Sequence, residues 1–165
     1  MSEIQARSGH VSRRAVTRAA VWSVPTVAVV AAAPAFAASA VDVGAFSITG
    51  TCGTLGLVNV GFDLTAGPQD LPAGTTVTIA QFGVNLGALG TQPGGIATVT
   101  PGSSTTSVQL VAPLPAGTTL SLRSTVNVSA LWSADAVVNL PSGFTATGAK
   151  TTGGIGGTAV ACSAT

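Results

Sequence analysis

The sequence is 165 residues long, a length that suggests one domain, with only 7% charged residues and a net charge of +1. This charged fraction is far below the roughly 25% of an average soluble protein, so the position of the hydrophobic residues decides whether the chain suits a membrane. From residue 38 onward the chain keeps two basic and four acidic side chains. It therefore has no basic patch for a phosphate backbone, and nucleic acid is excluded as a partner.

The N-terminal segment has the order of a cleaved export signal. A positive region with Arg13, Arg14 and Arg18 precedes an apolar stretch over 19–33, and small residues follow it. A membrane-spanning helix needs about 20 apolar residues, more than this stretch provides. We therefore predict a helical signal peptide over 1–37 and a mature domain over 38–165, with a retained anchor as the alternative. The cleavage site is formed by Ala35, Ala37 and Ala38.

The run Ser12-Arg13-Arg14-Ala15-Val16-Thr17-Arg18 resembles the twin-arginine export motif, in which Ser, two Arg, any residue, Phe, Leu and Lys follow one another. Ser12, Arg13 and Arg14 match the motif, and Arg18 stands in for the Lys. Val16 and Thr17 depart from the usual Phe and Leu. The resemblance implies recognition by the twin-arginine export machinery, which carries folded cargo, and the general secretory route stays open as the alternative.

The mature segment shows hydrophobic residues at every second position, separated by turns rich in Gly and Pro. The intervening positions carry hydroxyl and amide groups, a pattern typical of half-buried antiparallel strands. We predict an all-β fold, an antiparallel two-sheet sandwich with immunoglobulin-like topology, although a chain without Tyr lacks the tyrosine corner. The residues predicted to face the core include Phe46, Ile48, Cys52, Val58, Val60, Phe62, Leu64, Phe82, Val84, Leu86, Val108, Leu110, Leu120, Leu122, Val126, Val128, Ala130, Trp132, Val160 and Cys162.

Two local sequences stand out along this segment. Leu71-Pro72-Ala73-Gly74-Thr75-Thr76 recurs as Leu114-Pro115-Ala116-Gly117-Thr118-Thr119. We interpret the repeat as a favoured hairpin turn used twice, with a duplicated half-domain as the alternative. The glycine-rich run over 153–157 is interpreted as a flexible hairpin loop, because no Lys-Ser or Lys-Thr pair follows it as in a phosphate-binding loop.

Cys52 and Cys162 lie near the two ends of the mature segment. Two cysteines in an exported chain predict a disulfide, with two buried free thiols as the alternative. Both lie in phase with apolar neighbours, so we expect a buried bridge that connects the first strand to the last. In the chain-entropy view, closing so long a loop stabilises the fold by about 4 to 5 kcal/mol.

The mature segment has few of the side chains that catalysis needs. It contains no His, Glu or Tyr, so a Ser nucleophile has no imidazole base and zinc has no usual ligand set. We predict no catalytic, cofactor-binding or metal-binding residue. A pocket that gathered Lys150 with an Asp and a Ser would instead indicate an enzyme of unusual chemistry.

Several short elements are similar to small exported envelope domains of actinobacteria whose function is unknown: Trp22-Ser23-Val24-Pro25, Pro34 to Ser39, Cys52, Leu114-Pro115-Ala116-Gly117, Gly148-Ala149 and Cys162. The resemblance implies export but no particular activity. We expect a non-catalytic domain, secreted or held in the cell envelope, that binds an envelope protein or a glycan. An outer-envelope β-barrel or pore, and less so an enzyme of unusual chemistry, are the alternatives.

Overall fold

A computed structural model describes residues 39–53, 59–83, 86–126, 131–158 and 161–165. The predicted signal helix lies outside these residues, as do the export-motif residues Ser12, Arg13 and Arg14. The cleavage residues Ala35, Ala37 and Ala38 also lie outside them. Among the described residues there is no helix that could span a membrane.

The regular elements of the described residues are β-strands. In chain order they are β1 Val41–Asp42, β2 Ser47–Thr51, β3 Gly61–Thr65, β4 Thr76–Phe82, β5 Leu89–Gln92, β6 Ala97–Thr100, β7 Thr105–Leu110, β8 Thr119–Ser124, β9 Trp132–Asn139, β10 Phe144–Thr145, β11 Thr152–Thr158 and β12 Ala161–Ala164. The long run predicted from Leu120 to Trp132 is therefore not one strand, because β8 ends at Ser124 and β9 begins at Trp132.

The strands form two main antiparallel sheets. The six-stranded sheet has the order β12-β11-β9-β4-β7-β6, and the four-stranded sheet has the order β2-β3-β8-β5. A short parallel pair joins β1 to β10. One cluster of buried apolar side chains receives residues from both main sheets, among them Phe62 and Leu122 from one and Ile79 and Val108 from the other. The predicted all-β, antiparallel, sandwich-like fold is confirmed.

The predicted alternation holds in most strands because a strand turns successive side chains to opposite faces. Eleven residues predicted to face the core are buried: Phe46, Ile48, Val60, Phe62, Leu64, Leu86, Val108, Leu110, Leu120, Leu122 and Trp132. Five others lie outside the described residues: Val58, Val84, Val128, Ala130 and Val160. The prediction is wrong at Val126, which is 38% exposed after the end of β8, and at the end of β4. Phe82 is 78% exposed there, and the neighbouring Gln81 is buried instead.

The packing of β4 explains why Gln81 faces inward. Val77 and Ile79 are buried, so the two-residue period places Gln81 on the same side. Its side-chain nitrogen donates to the Thr106 hydroxyl at 2.6 Å, and its oxygen accepts from the Leu86 backbone N–H at 2.7 Å. The amide is therefore satisfied inside the core, where an unpaired polar group would be costly.

Each copy of the repeat forms a turn followed by a strand, β4 or β8, as expected of a hairpin entry, but neither copy opens a hairpin, so that part of the interpretation is wrong. Each copy carries the chain from one sheet to the other: from β3 to β4 in the first copy and from β7 to β8 in the second. The two copies also pair with each other, because Leu71 and Leu114 exchange two backbone hydrogen bonds of 2.9 Å. In both copies the glycine, Gly74 or Gly117, adopts a positive φ that other residues rarely adopt.

The glycine-rich run forms strand β11, so its interpretation as a loop is also wrong. Glycine is needed because β2 passes very close to β11. A Cβ atom added to Gly50 of β2 would collide with the carbonyl oxygen of Gly154, and one added to Gly153 would press on the carbonyl oxygen of Ile48 at 3.0 Å. The run thus serves close packing between the two sheets rather than flexibility.

The disulfide between Cys52 and Cys162 is confirmed, with Cα atoms 5.8 Å apart. It connects the residue after β2 to the last strand, β12. Both cysteines are half-buried rather than buried as expected. The reason is their position at the rim, since Cys52 follows the end of its strand and β12 is the edge of the six-stranded sheet.

Asp42 stabilises the short β1–β10 pair through three hydrogen bonds. Its carboxylate accepts hydrogen bonds from the Thr147 hydroxyl at 2.6 Å, the Gly44 N–H at 2.8 Å and the Thr147 N–H at 3.0 Å. The bond from the Thr147 hydroxyl, followed by those from the two backbone N–H groups, lowers the pKa of Asp42 below its ordinary value of 3.8. Ionised Asp42 therefore favours the folded chain.

We expect Asp42→Asn to reduce the loss of stability in acid. Because folding lowers the pKa of Asp42, its contribution is complete above the ordinary value of 3.8 and disappears as the pH falls through the lower folded value. Urea unfolding at pH about 6 and about 2.5 measures this. Thr147→Val, which removes the strongest donor, should reduce the same difference in part. An unchanged pH dependence in Asp42→Asn would contradict the assignment.

Candidate functional site

The outward face of the four-stranded sheet carries ordered rows of polar side chains. The strand register aligns Thr49, Asp63, Ser121 and Gln92 across β2, β3, β8 and β5. These residues face outward because their neighbours along each strand, such as Phe62 and Leu122, are buried in the core. The sheet therefore presents hydroxyl, carboxylate and amide groups to solvent at regular positions.

Within the residues the structure describes, the one ion pair lies on this face. Arg123 Nη2 donates to both carboxylate oxygens of Asp63, at 2.7 and 2.8 Å, and Ser121 Oγ donates to the same carboxylate at 2.7 Å. Arg123 Nη1 also donates to the Phe62 carbonyl at 2.9 Å. These bonds fix the guanidinium in place, and its charge is compensated where it lies. As both side chains are over a quarter exposed, the pair itself adds little stability.

A groove runs beside Arg123, and the strand register explains it. Arg123 lies between Gly61 and Gly90 on the two neighbouring strands. Gly61 is buried, so the open space lies on the side of the exposed Gly90, which has no side chain to fill it. The resulting space, which we call the Arg123 groove, has a volume of about 460 Å³. Its lining consists of Asn59, Gly90, Thr91, Gln92, Arg123, Ser124 and Thr125.

Local hydrogen bonds fix two adjacent residues that line the Arg123 groove. Thr125 donates its hydroxyl to the Ala88 carbonyl at 2.7 Å, and Ser124 donates its hydroxyl to the Leu86 carbonyl at 2.9 Å. Asn59 adopts a positive φ of 59°, a conformation that Asn tolerates better than most residues. The exposed amides of Asn59 and Gln92 can each donate and accept hydrogen bonds at the groove.

A second groove, of about 370 Å³, brings Lys150 near Asp135. This is part of the constellation that the sequence suggested for an enzyme of unusual chemistry, but no Ser lies among the lining residues. Lys150 is exposed, and no Lys–Asp contact within 4.0 Å occurs in the described residues. The lining consists of Asp135, Ala136, Val137, Lys150, Thr152, Gly153, Gly154 and Thr165.

Metal ligands are not gathered in the part of the chain that the structure describes, where no group of three or more His, Cys, Asp or Glu occurs. The two cysteines are joined to each other.

The outward face of the six-stranded sheet carries both hydroxyl groups and exposed apolar side chains, among them Phe82 and Val137, and provides a surface for comparison. The register aligns Thr100, Ser107, Thr78 and Val137 across β6, β7, β4 and β9. Thr78 lies on a different sheet from the Arg123 groove and is absent from its lining. A substitution at Thr78 is therefore a suitable control for changes in the groove.

Sequence reasoning anticipated hydrogen-bonding faces but missed the Arg123 groove. The groove depends on which residues lie opposite each other on three strands that are far apart in sequence, and a single sequence does not reveal that register. The one available signal was glycine at positions 61 and 90, inside or beside alternating runs. Glycine within a strand often marks a close approach or an open space.

Comparison with known proteins produced no further guide to function. No protein-family model matches the chain, and neither a curated protein nor a solved structure matches it.

Proposed function

We propose that this chain is an exported, non-catalytic β-sandwich domain that binds another macromolecule of the cell envelope, a protein or a glycan. The observation that carries the proposal is the outward face of the four-stranded sheet, with its aligned polar row and the Arg123 groove. Concave surfaces with a few convergent polar groups are the usual places where ligands bind.

Export is supported by the signal-like segment over 1–37 and by the disulfide. Disulfides persist in oxidising compartments and are rare in the cytosol, so the Cys52–Cys162 bond favours a location outside the cytoplasm. The proposed route is the twin-arginine machinery, through Ser12, Arg13 and Arg14. The mature domain would then be secreted or held in the envelope, as in the small actinobacterial proteins that the sequence resembles.

The residue inventory supports a binding role rather than catalysis. From residue 38 onward the sequence contains no His and no Glu, the usual bases of hydrolytic sites. Lys150, the single Lys of that segment, is exposed rather than enclosed in a site. We therefore assign the polar side chains to recognition.

An immunoglobulin-like topology is part of the proposal. In support, the order β11-β9-β4-β7 resembles strands G, F, C and C′ of a variable-type domain, and β2-β3-β8 resembles A, B and E. Two features depart from that pattern. The strand beside β8 is β5, which comes directly after β4 in the chain. The disulfide connects the residue after β2 to β12, whereas in the immunoglobulin pattern it connects strands B and F.

Binding to envelope material tests the proposed function. The purified protein, added to washed envelopes of the cells that produce it, should sediment with them in a saturable manner. Gln92→Ala, which removes an exposed amide of the Arg123 groove, should weaken retention about threefold to tenfold through loss of one hydrogen bond. Thr78→Val on the other sheet should leave retention unchanged. Prior protease treatment of the envelopes separates a protein partner from a glycan, and absence of saturable retention would refute the proposal.

A further inference from the structure

We infer that the Arg123 groove is the subsite for a neutral, hydroxyl-rich sugar unit of an envelope glycan. This inference rests on the proposed function and names its ligand class. Its starting point is the space that Gly90 leaves beside Arg123. The volume of about 460 Å³ lies within the range of small-molecule sites.

Charge compensation favours a neutral ligand over an anionic one. The Asp63 carboxylate takes two hydrogen bonds from Arg123 Nη2, so the positive group that lines the groove is paired with a carboxylate outside its lining. Because this carboxylate offsets the charge of Arg123, an anionic sugar would gain little net attraction. Arg123 Nη1 also donates to the Phe62 carbonyl, so both terminal nitrogens of the guanidinium already donate hydrogen bonds within the protein.

The exposed polar groups of the groove match the hydrogen bonding of sugar hydroxyls. Each sugar hydroxyl both donates and accepts, and so do the amides of Asn59 and Gln92, which are exposed at the groove. The Thr125 hydroxyl donates to a backbone carbonyl and keeps its lone pairs for an incoming donor. Among the described residues that line the groove, none has a purely apolar side chain against which an apolar peptide side chain could pack.

The shape and lining also set the expected strength of binding. The described residues that line the groove include no aromatic side chain for the stacking that strengthens many sugar sites. A single unit held by a few hydrogen bonds should bind with a Kd of about 0.1 to 1 mM. A polysaccharide with repeated units would be held more tightly through rebinding along the chain.

Gly90 offers a way to close the groove without disturbing the fold. A Cβ atom added to Gly90 would have its nearest neighbour, the Arg123 carbonyl oxygen, at 3.8 Å, an ordinary contact distance. Valine suits a strand position and would occupy the space next to the guanidinium. Gly90→Val should therefore fold as the unchanged protein does and lose the subsite, and Gln92→Ala provides a second variant that leaves the volume of the groove open.

The test uses the purified full chain with dextran, mannan and arabinogalactan as neutral probes and polygalacturonate as an anionic one. Saturation-transfer NMR and affinity electrophoresis should show binding to at least one neutral polysaccharide. Binding should fall tenfold or more in Gly90→Val, fall less in Gln92→Ala and stay the same in Thr78→Val. Circular dichroism and thermal melting check that each variant is folded.

The remaining outcomes separate this inference from the proposed function. Retention by envelopes without binding to any neutral polysaccharide, or with binding to polygalacturonate alone, would overturn the sugar subsite and leave the binding function standing. If folded Gly90→Val still binds neutral polysaccharide, the sugar site lies outside the Arg123 groove and the assignment is wrong. Failure of the unchanged protein to bind envelopes at all would refute the proposed function itself.

Discussion

Replacement of both Cys52 and Cys162 by serine should lower the free energy of unfolding by about 4 to 5 kcal/mol. The bond joins positions separated by 110 residues, so it lowers the conformational entropy of the unfolded chain by closing a long loop. It also holds β12 at the edge of the six-stranded sheet, next to β11. Most domains of this size have a total stability of only about 5 to 15 kcal/mol, so the loss should be visible in any unfolding curve.

Urea unfolding followed by tryptophan fluorescence measures this effect. The double variant and the chemically reduced protein should unfold at similar, lowered midpoints. Addition of reductant to the double variant should change nothing, which controls for other effects of the reagent. A loss below about 1 kcal/mol would show that the unfolded chain is already compact enough for the bond to constrain it little.

Gly61→Ala should destabilise the fold by about 3 kcal/mol. Gly61 is buried on β3, and an added Cβ atom would collide with the carbonyl oxygen of Leu122 on β8. That oxygen belongs to the backbone of a paired strand whose Leu122 side chain is fully buried, so one of the two strands would have to shift. Forced shifts of a packed core typically cost a few kcal/mol.

Gly90→Ala is the matched control for this substitution. Gly90 is the other glycine opposite Arg123, but an added Cβ atom there meets nothing closer than 3.8 Å. Because alanine restricts the unfolded chain more than glycine, this variant should be as stable as the unchanged protein or gain up to about 1 kcal/mol. Equal effects of the two substitutions in denaturant unfolding would contradict the packing described at Gly61.

The two-residue periodicity was enough to predict the all-β fold and most of the core. Val60, Phe62 and Leu64 are buried as expected because a strand with one face on a core has little freedom of register. The same reasoning failed at Phe82. There Gln81 is the next residue after Val77 and Ile79 on the buried face of β4, so Phe82 lies on the outward face. Gly83, with a φ of +74°, turns the chain directly after Phe82.

The errors at the repeat and at the glycine run have a common physical cause. Both features depend on contacts between residues that are distant in the chain: Leu71 with Leu114, and Gly50 with Gly154. Turn propensity and glycine content describe local freedom, so they cannot show that a glycine serves a neighbouring strand. The Arg123 groove was missed for the same reason, since it forms only when β3, β8 and β5 are aligned.

The mutual pairing of the two turns limits the forms in which the domain can exist. Each sheet receives a central strand from a turn that starts in the other sheet, and Leu71 and Leu114 bind these two turns together. A chain synthesised only as far as Leu114 lacks β8. The four-stranded sheet then lacks the strand that lies between β3 and β5. A partly synthesised domain is therefore unstable, and the fold is complete only when both turns and β8 are in place.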